Sequence, residues 1–308
     1  MPLRAIFYVL LAMFLLALQD AIFKKLIETH AVLELLFLRM SLVVLILFIV
    51  FLARRDIPTL QTRHWPLMCL RGTAAFGAFT LYYLALQKIP LAEGATVLMS
   101  APLFVTALSA PLLKEKIGPH RWAAVCIGFI AVLIMLRPGT ALFQPVMVLP
   151  FISALLYSLI PIITRAIDSK VSAFIITFYT TVPYLALCFL ASIWVHLFPA
   201  STDSEQIYAA FAQSWTSPSP LGASLILSTA LLFCAGVFLL TLAYRLAQAS
   251  AIASFEYFYL VWAILVGYMV FGDVPAVITC TAAAIIASCG IYIAWRERRQ
   301  KTPIKVGA

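Results

Sequence analysis

The chain has 308 residues, 64% hydrophobic and only 11% charged, whereas soluble domains are nearer half apolar and a quarter charged. This composition excludes an ordinary soluble enzyme and describes an all-α polytopic membrane protein. The net charge of +9, from 21 Lys plus Arg against 12 Asp plus Glu, suits cytoplasmic loops and anionic headgroups; without a basic folded face outside the membrane, nucleic acid is excluded as a partner.

A spanning helix needs about 20 mostly apolar residues. Ten runs meet that need, at 3–26, 34–53, 65–87, 92–113, 120–136, 146–164, 172–197, 222–246, 250–271 and 274–295. The first flows through LALQDAIFKK without a small-residue cleavage site, so it reads as a spanning helix and not a cleavable signal. The linkers RRDIPTLQTR, KEKIGPHR, RPGTALFQP and FPASTDSEQ…SWTSPSPLG carry the polar and breaking residues. Most other loops are very short, which leaves no room for a soluble catalytic domain.

With the N-terminus in the cytoplasm, inside segments hold 15 basic residues: Arg4, Arg54, Arg55, Arg63, Lys114, Lys116, Arg121, Arg165, Lys170, Arg245, Arg296, Arg298, Arg299, Lys301 and Lys305. Outside segments hold Lys24, Lys25, Lys88 and Arg137, while Arg39 and Arg71 fall inside runs. The bias places both termini in the cytoplasm and the loop around Asp203 and Glu205 outside.

Charges near the bilayer centre are costly and face a bundle interior or a wet cavity. Asp20 and Lys24, spaced i,i+4, suit a local ion pair, with Lys24 and Lys25 snorkelling; the alternative sets Asp20 on the external part of a solute path. Arg39 lies five residues into its run and reads as an interfacial or interhelical structural arginine. Arg71 enters the third run from the same side as Glu256 enters the ninth. It is either the carboxylate's partner or a residue that snorkels to the inner headgroups. Glu256 shares a helical stripe with Ala249, Ala253, Leu260, Ala263 and Gly267, and such small residues mark close helix packing. It therefore points into the bundle, where it is either a proton-coupling or cation-binding group or stays paired with an arginine.

Tyr82 and Tyr83, Tyr157, and Tyr257 and Tyr259 fall where a cavity is expected. Together with Glu256 they suit a planar or cationic solute, and each alone is equally a packing residue. Pro102, Pro111, Pro161 and Pro183 lie within runs, and each removes a backbone hydrogen bond; Pro102 and Pro161 are either pivots or static kinks. The cysteines Cys69, Cys126, Cys188, Cys234, Cys280 and Cys289 all sit in apolar runs without a CxxC and read as small buried hydrophobes. The histidines His30, His64, His120 and His196 are isolated near run ends. No metal site or cofactor is expected.

Ten runs divide into two sets of five, residues 1–141 and 142–308. At an offset of 158, Leu84-Ala85 falls on Leu242-Ala243, Ala95 on Ala253, and Glu115 on Asp273. Leu98 occupies the place of Glu256. Because five is odd, the halves cross in opposite directions, an arrangement of secondary transporters with a midplane site at the repeat interface.

The run IPLAEGATVLMSAPLFVTALSAPLLKEKIGPHRWAAVCIGFIAVLIMLRPG (89–139) resembles the fourth and fifth spans of EamA-type drug/metabolite transporters. LAQASAIASFEYFYLVWAILVGYMVFGDVP (246–275) resembles their ninth, and DAIFKKL, LFLRMSL and LRGTAAFG their first three. The resemblance implies ten helices in a 5+5 inverted repeat, a central cavity and alternating access. It is nearest to bacterial members that move riboflavin or S-adenosylmethionine. One departure is Ser254 before Phe255, where many relatives have Pro, so a proline-opened ninth helix is not expected.

The expected function is secondary active transport of a small organic metabolite across the inner membrane, driven by protons or an exchanged solute. The same fold serves an exporter of amino acids or toxic metabolites and drugs. A third reading is an intramembrane enzyme built on Glu256 and Arg71, although the chain has no HExxH or GxSxG. It also lacks the phosphate-cradling GxxxxGK[ST], which argues against ATP-driven pumping by this chain alone. Nothing in the pattern requires more than a monomer in the bilayer.

Overall fold

The computed structural model describes residues 3–53, 63–113, 118–136, 144–167, 171–197, 215–247, 252 and 255–300. Its α-helices are α1 (Leu3–Leu26), α2 (Val32–Ala53), α3 (Trp65–Leu86), α4 (Leu91–Leu98), α5 (Ala101–Leu113), α6 (Pro119–Leu136), α7 (Val148–Ala166), α8 (Ala173–Leu197), α9 (Pro220–Leu246), α10 (Phe258–Phe271) and α11 (Val277–Gln300). There is no strand among the described residues. Six segments are long and apolar enough to cross a membrane: Leu3–Leu26, Val32–Ala53, Leu91–Leu113, Pro145–Ala166, Ala173–Leu197 and Pro220–Leu246. Trp122–Leu136, Phe258–Phe271 and Val277–Cys289 are shorter apolar helices. The chain is thus a multi-pass membrane protein, all-helical in its described elements.

Several sequence features lie outside the described residues: Arg54, Arg55, Lys114, Glu115, Lys116, Arg137, Lys170, Asp203, Glu205, Ala249, Ala253, Ser254, Lys301 and Lys305, and the side chains of Arg121, Arg296, Arg298 and Arg299.

The fourth run, expected as one helix, is interrupted at Met99 and Ser100 between α4 and α5. Pro102 has no N–H to offer the Leu98 carbonyl. The chain tightens there into three-residue bonds, Ser100 N to Val97 O (3.0 Å) and Leu103 N to Ser100 O (3.0 Å). The ninth run has a turn at Tyr257, one residue after Glu256, with Leu260 N bonded to Tyr257 O at 3.0 Å. At the offset of 158, Met99 and Tyr257 are equivalent. No proline lies between Phe255 and Phe271, so this second interruption arises without one. α10 ends at Gly272, whose φ of 69° is left-handed and lets its N–H bond the Tyr268 carbonyl at 3.0 Å. A glycine carries that conformation without a Cβ penalty.

The most extensive packing joins α1 to α9 and α3 to α7; α3 also packs on α8, α2 on α9, α1 on α10 and α5 on α7. α6 packs on α11, α2 on α8 and α4 on α10. Exchanging the first five runs with the last five turns each of these contacts into another of the set or into itself.

α10 shows how a nearly uniform apolar helix is oriented. Leu260, Ala263 and Gly267 are buried, as is Glu256 just before the helix, while Phe258, Val261, Leu265 and Met269 are exposed to the apolar surroundings. The described part of the stripe predicted for Glu256 thus faces the bundle. The cysteines divide differently from expectation. All six are free thiols, but Cys126 and Cys280 are exposed, because α6 and α11 each turn one face outward.

Gly72 allows a close approach of two helices in the interior. A Cβ there would stand 2.5 Å from the Thr180 carbonyl oxygen and 2.7 Å from Pro183 Cγ. α3 and α8 can come this near only because the side chain is missing. Gly72→Ala is expected to cost about 1–3 kcal/mol by forcing the helices apart. Gly118→Ala, where nothing lies within 4 Å, should stay within about 0.5 kcal/mol. Thermal unfolding of both variants in one detergent checks the contrast, and equal losses would contradict it.

Candidate functional site

Three groups of buried polar side chains occupy the interior. The first surrounds Arg39 of α2, which is fully buried. Its Nη1 donates to Gln19 Oε1 (2.7 Å) and to the Tyr83 hydroxyl (3.0 Å), and its Nη2 to the Tyr184 hydroxyl (3.3 Å). The guanidinium carbon lies 4.3 Å from the Phe233 ring centroid and 4.8 Å from that of Phe23. Charge-assisted hydrogen bonds and cation–π contacts together offset the loss of hydration. Nε alone has no partner.

Asp20 closes this group from α1. It accepts from Gln19 Nε2 (2.5 Å), the Tyr83 hydroxyl (2.6 Å) and the Tyr259 hydroxyl (2.5 Å), and Tyr259 in turn shares a 2.9 Å hydrogen bond with Tyr82. Arg39 and Asp20 are therefore linked through Gln19 and Tyr83 and make no direct ion pair. The group ties α1, α2, α3, α8 and α10 together.

This overturns two readings. Asp20 does not pair with Lys24; Lys24 reaches Asp273 instead at 3.3 Å and lies over the Phe271 ring at 4.8 Å. On α1 the Asp20 side chain faces the interior, while Lys24, one turn further, emerges at the helix end. Nor is Arg39 interfacial. Its depth along α2 understated its burial, because α1, α3 and α8 close over it. The interhelical reading stands. Lys25 pairs with Glu28 at 2.6 Å on the surface.

The second group holds Glu256, 1% exposed. The Tyr244 hydroxyl of α9 donates a short hydrogen bond to Oε1, and the Tyr157 hydroxyl of α7 is its other hydroxyl partner. Among the described residues no cation lies within ion-pair distance of it. The neighbouring Tyr257 hydroxyl is buried without a hydrogen-bond partner.

The third group is Arg71, which is buried and does not meet Glu256. Its Nε donates to Thr164 Oγ1 (2.9 Å), Nη1 to Thr180 Oγ1 (2.7 Å) and Nη2 to Thr241 Oγ1 (3.2 Å). The proposed Arg71–Glu256 pair is absent because α7, α8 and α9 present threonines to the guanidinium before it can reach the carboxylate. Burial among these helices likewise rules out snorkelling. Along α3, Arg71 and Tyr83 stand about 18 Å apart, with Phe79 between them.

A central cavity lies beside these groups, lined by Arg71, Phe79, Tyr157, Tyr184, Phe233 and Tyr244 among others. Its free volume of about 40 Å³ is far below the roughly 300–1,000 Å³ of a small-molecule site. The conformation is closed around its centre. Pro161 lines the cavity one turn past Tyr157, and its missing N–H leaves the Tyr157 carbonyl without a helical donor.

The structure thus brings Asp20, Tyr82, Tyr83, Tyr259 and Arg39 together, sets Tyr157 beside Glu256, and places Arg71 and Pro161 on the cavity. Lys24 lies apart at the bundle end, and Pro102 lies at the α4–α5 interruption. Sequence reasoning missed Gln19, Tyr184, Tyr244, Thr164, Thr180 and Thr241. A polar residue within an apolar run was the available signal, strongest at Gln19 beside Asp20 and at the Thr180–Thr181 pair.

Comparison with known proteins adds a family. Residues 3–137 match the EamA-like transporter family. The chain is 27% identical over 265 residues to an S-adenosylmethionine uptake transporter of Rickettsia bellii, covering 84% of this chain and 81% of that protein. It is 28% identical over 255 residues to a riboflavin transporter of Rhizobium johnstonii, covering 82% and 78% respectively. A crystal structure with 18% identity superposes with a TM-score of 0.66 over 97% of this chain and 98% of that one, so the overall fold is shared.

The two charged centres should differ sharply in stability. Arg39→Gln is expected to cost about 3–5 kcal/mol, since it breaks a buried charged network from one side. Asp20→Asn should cost less, because its amide oxygen still accepts from the tyrosines. Lys24→Ala, at a partly exposed pair, should cost about 1 kcal/mol or less. Unfolding midpoints of the three variants in one detergent check the order; a Lys24→Ala loss equal to that of Arg39→Gln would contradict it.

Proposed function

From the premise that this chain belongs to the EamA-type drug/metabolite transporter family, we propose that it moves a small, planar organic metabolite across the inner membrane by proton-linked alternating access. The proposal includes ten spanning helices in two inverted five-helix halves, residues 1–141 and 142–308, with both termini cytoplasmic. Three features support the repeat: the exchange symmetry of the helix contacts, the interruptions at the equivalent Met99 and Tyr257, and the odd number of runs in each half.

The observation that carries proton linkage is Glu256. It is buried, bonded by hydroxyls alone among the described residues, and set at the interruption preceding α10. The titratable groups facing it are Tyr157 of α7, Tyr244 of α9 and Tyr257 beside it. A carboxylate without a fixed cation is free to hold charge when exposed to water and a proton when enclosed. The closed cavity fits such a cycle, because a metabolite enters only when the halves separate. Asp20, Tyr82, Tyr83 and Tyr259 then form the seal on the Lys24 side, and Tyr157 lies on the solute path.

The relatives supply the first solutes to try, S-adenosylmethionine and riboflavin, at the head of a metabolite panel. In proteoliposomes the wild-type protein should accumulate its solute in response to a pH gradient. Glu256→Gln should lose that response while still exchanging solute across the membrane. A folded Glu256→Gln protein that keeps full pH-dependent flux would remove Glu256 from the coupling role.

A further inference from the structure

The two buried arginines are compensated differently. Arg39 is linked to the Asp20 carboxylate through Gln19 and Tyr83 and rests against aromatic rings. Although Tyr157, a hydroxyl partner of Glu256, acts electrostatically on Arg71, among the described residues Arg71 has no hydrogen-bonded link to a carboxylate and no cation–π contact. Its three partners are neutral hydroxyls, and each hydroxyl already gives its proton to the carbonyl four residues back: Thr164 to Ile160 (2.7 Å), Thr180 to Ile176 (2.6 Å) and Thr241 to Val237 (2.7 Å). Among the described residues no carboxylate lies within ion-pair distance of Arg71.

A guanidinium carries five N–H donors. The threonines take three, which leaves one on each terminal nitrogen, and Arg71 lines the central cavity. A buried ion with neutral partners only is the costly arrangement that transport proteins keep for a use. Three threonines from three helices fix the plane and direction of the fork but leave its charge unmatched.

We infer that Arg71 is an anion subsite that holds a carboxylate of the carried solute in a two-pronged contact, with the flat body of the solute against Tyr157, Tyr184 and Phe233. The inference rests on the transport reading, since the occupant is the solute that passes through this cavity. It also reverses the sign expected from the tyrosines and Glu256 alone. A cationic group elsewhere on the solute is compatible with the subsite; a cation lacking a carboxylate is not. Charge balance selects carboxylate over phosphate. One carboxylate neutralises Arg71, whereas a phosphate dianion would leave negative charge in a cavity bordered by Tyr157 and Tyr244, the hydroxyl partners of Glu256.

The test uses the full-length protein in lipid nanodiscs and compounds differing in one group: indole-3-acetate against indole-3-acetamide, phenylacetate against phenylacetamide, and phenyl phosphate as the dianion. Affinities are read from thermal shifts across a titration. The acids should raise the melting temperature and the amides should not. Arg71→Gln should weaken the acids by about tenfold or more, the loss of a charge-assisted contact. Arg71→Lys keeps the charge without the fork and should fall between. Thr241→Val leaves Arg71 in place and should weaken the acids by a smaller factor; it carries the test if Arg71→Gln does not fold. The assignment is overturned if no acid binds, if amides bind as well as acids, if phenyl phosphate binds more tightly than the acids, or if the variants keep the wild-type preference. Protein-dependent flux of the same compounds in proteoliposomes separates the two readings. Acid-selective binding without flux of these compounds or of the metabolite panel would remove transport and leave the subsite. Flux without acid preference would remove the subsite and leave transport.

Discussion

The burial of the Arg39 guanidinium constrains much of the remaining interior. A cation deep in an apolar bundle is tolerated only when its donors are satisfied and its charge is answered. Here that requirement draws Gln19, Asp20, Tyr83 and Tyr184 inward from three helices and packs Phe23 and Phe233 against the guanidinium. Asp20 in turn engages Tyr259, which meets Tyr82. One charge thus ties the first half of the chain to the second, and most of the buried tyrosines find their orientation through it.

The two halves do not share polar chemistry equally. The counterpart of Glu256 is Leu98 at the sequence offset, and both arginines come from the first half. The interior is thus asymmetric at the two matched positions: a carboxylate held by hydroxyls lies near one interruption and a plain leucine near the other. A bundle needs no such asymmetry to fold, and a directional cycle can use it.

Six of the ten runs were legible in the chain as helices of bilayer length, because such apolar runs are long. The burial of Glu256, Leu260, Ala263 and Gly267 followed from helical spacing and small side chains. Partners were harder. Asp20 and Lys24 at i,i+4 looked like a pair, but the distance between helices decided otherwise, and Lys24 found Asp273, far away in sequence. Arg71 and Glu256 share a depth, yet depth along two helices says nothing about the angle around each. Thr164, Thr180 and Thr241 were hidden because threonine is common in apolar helices, where its hydroxyl can satisfy itself on its own backbone.

That self-satisfaction has a mechanical consequence at Arg71. Each threonine hydroxyl is pinned to the carbonyl of its own helix, so it cannot swing freely to follow a departing partner. The guanidinium in effect measures the positions of three backbones, those of α7, α8 and α9. Sliding any one of them lengthens one bond to a buried cation while the other two hold. The hydrogen bonds of Arg71 to the three threonines are therefore all met only in one relative setting of the three helices.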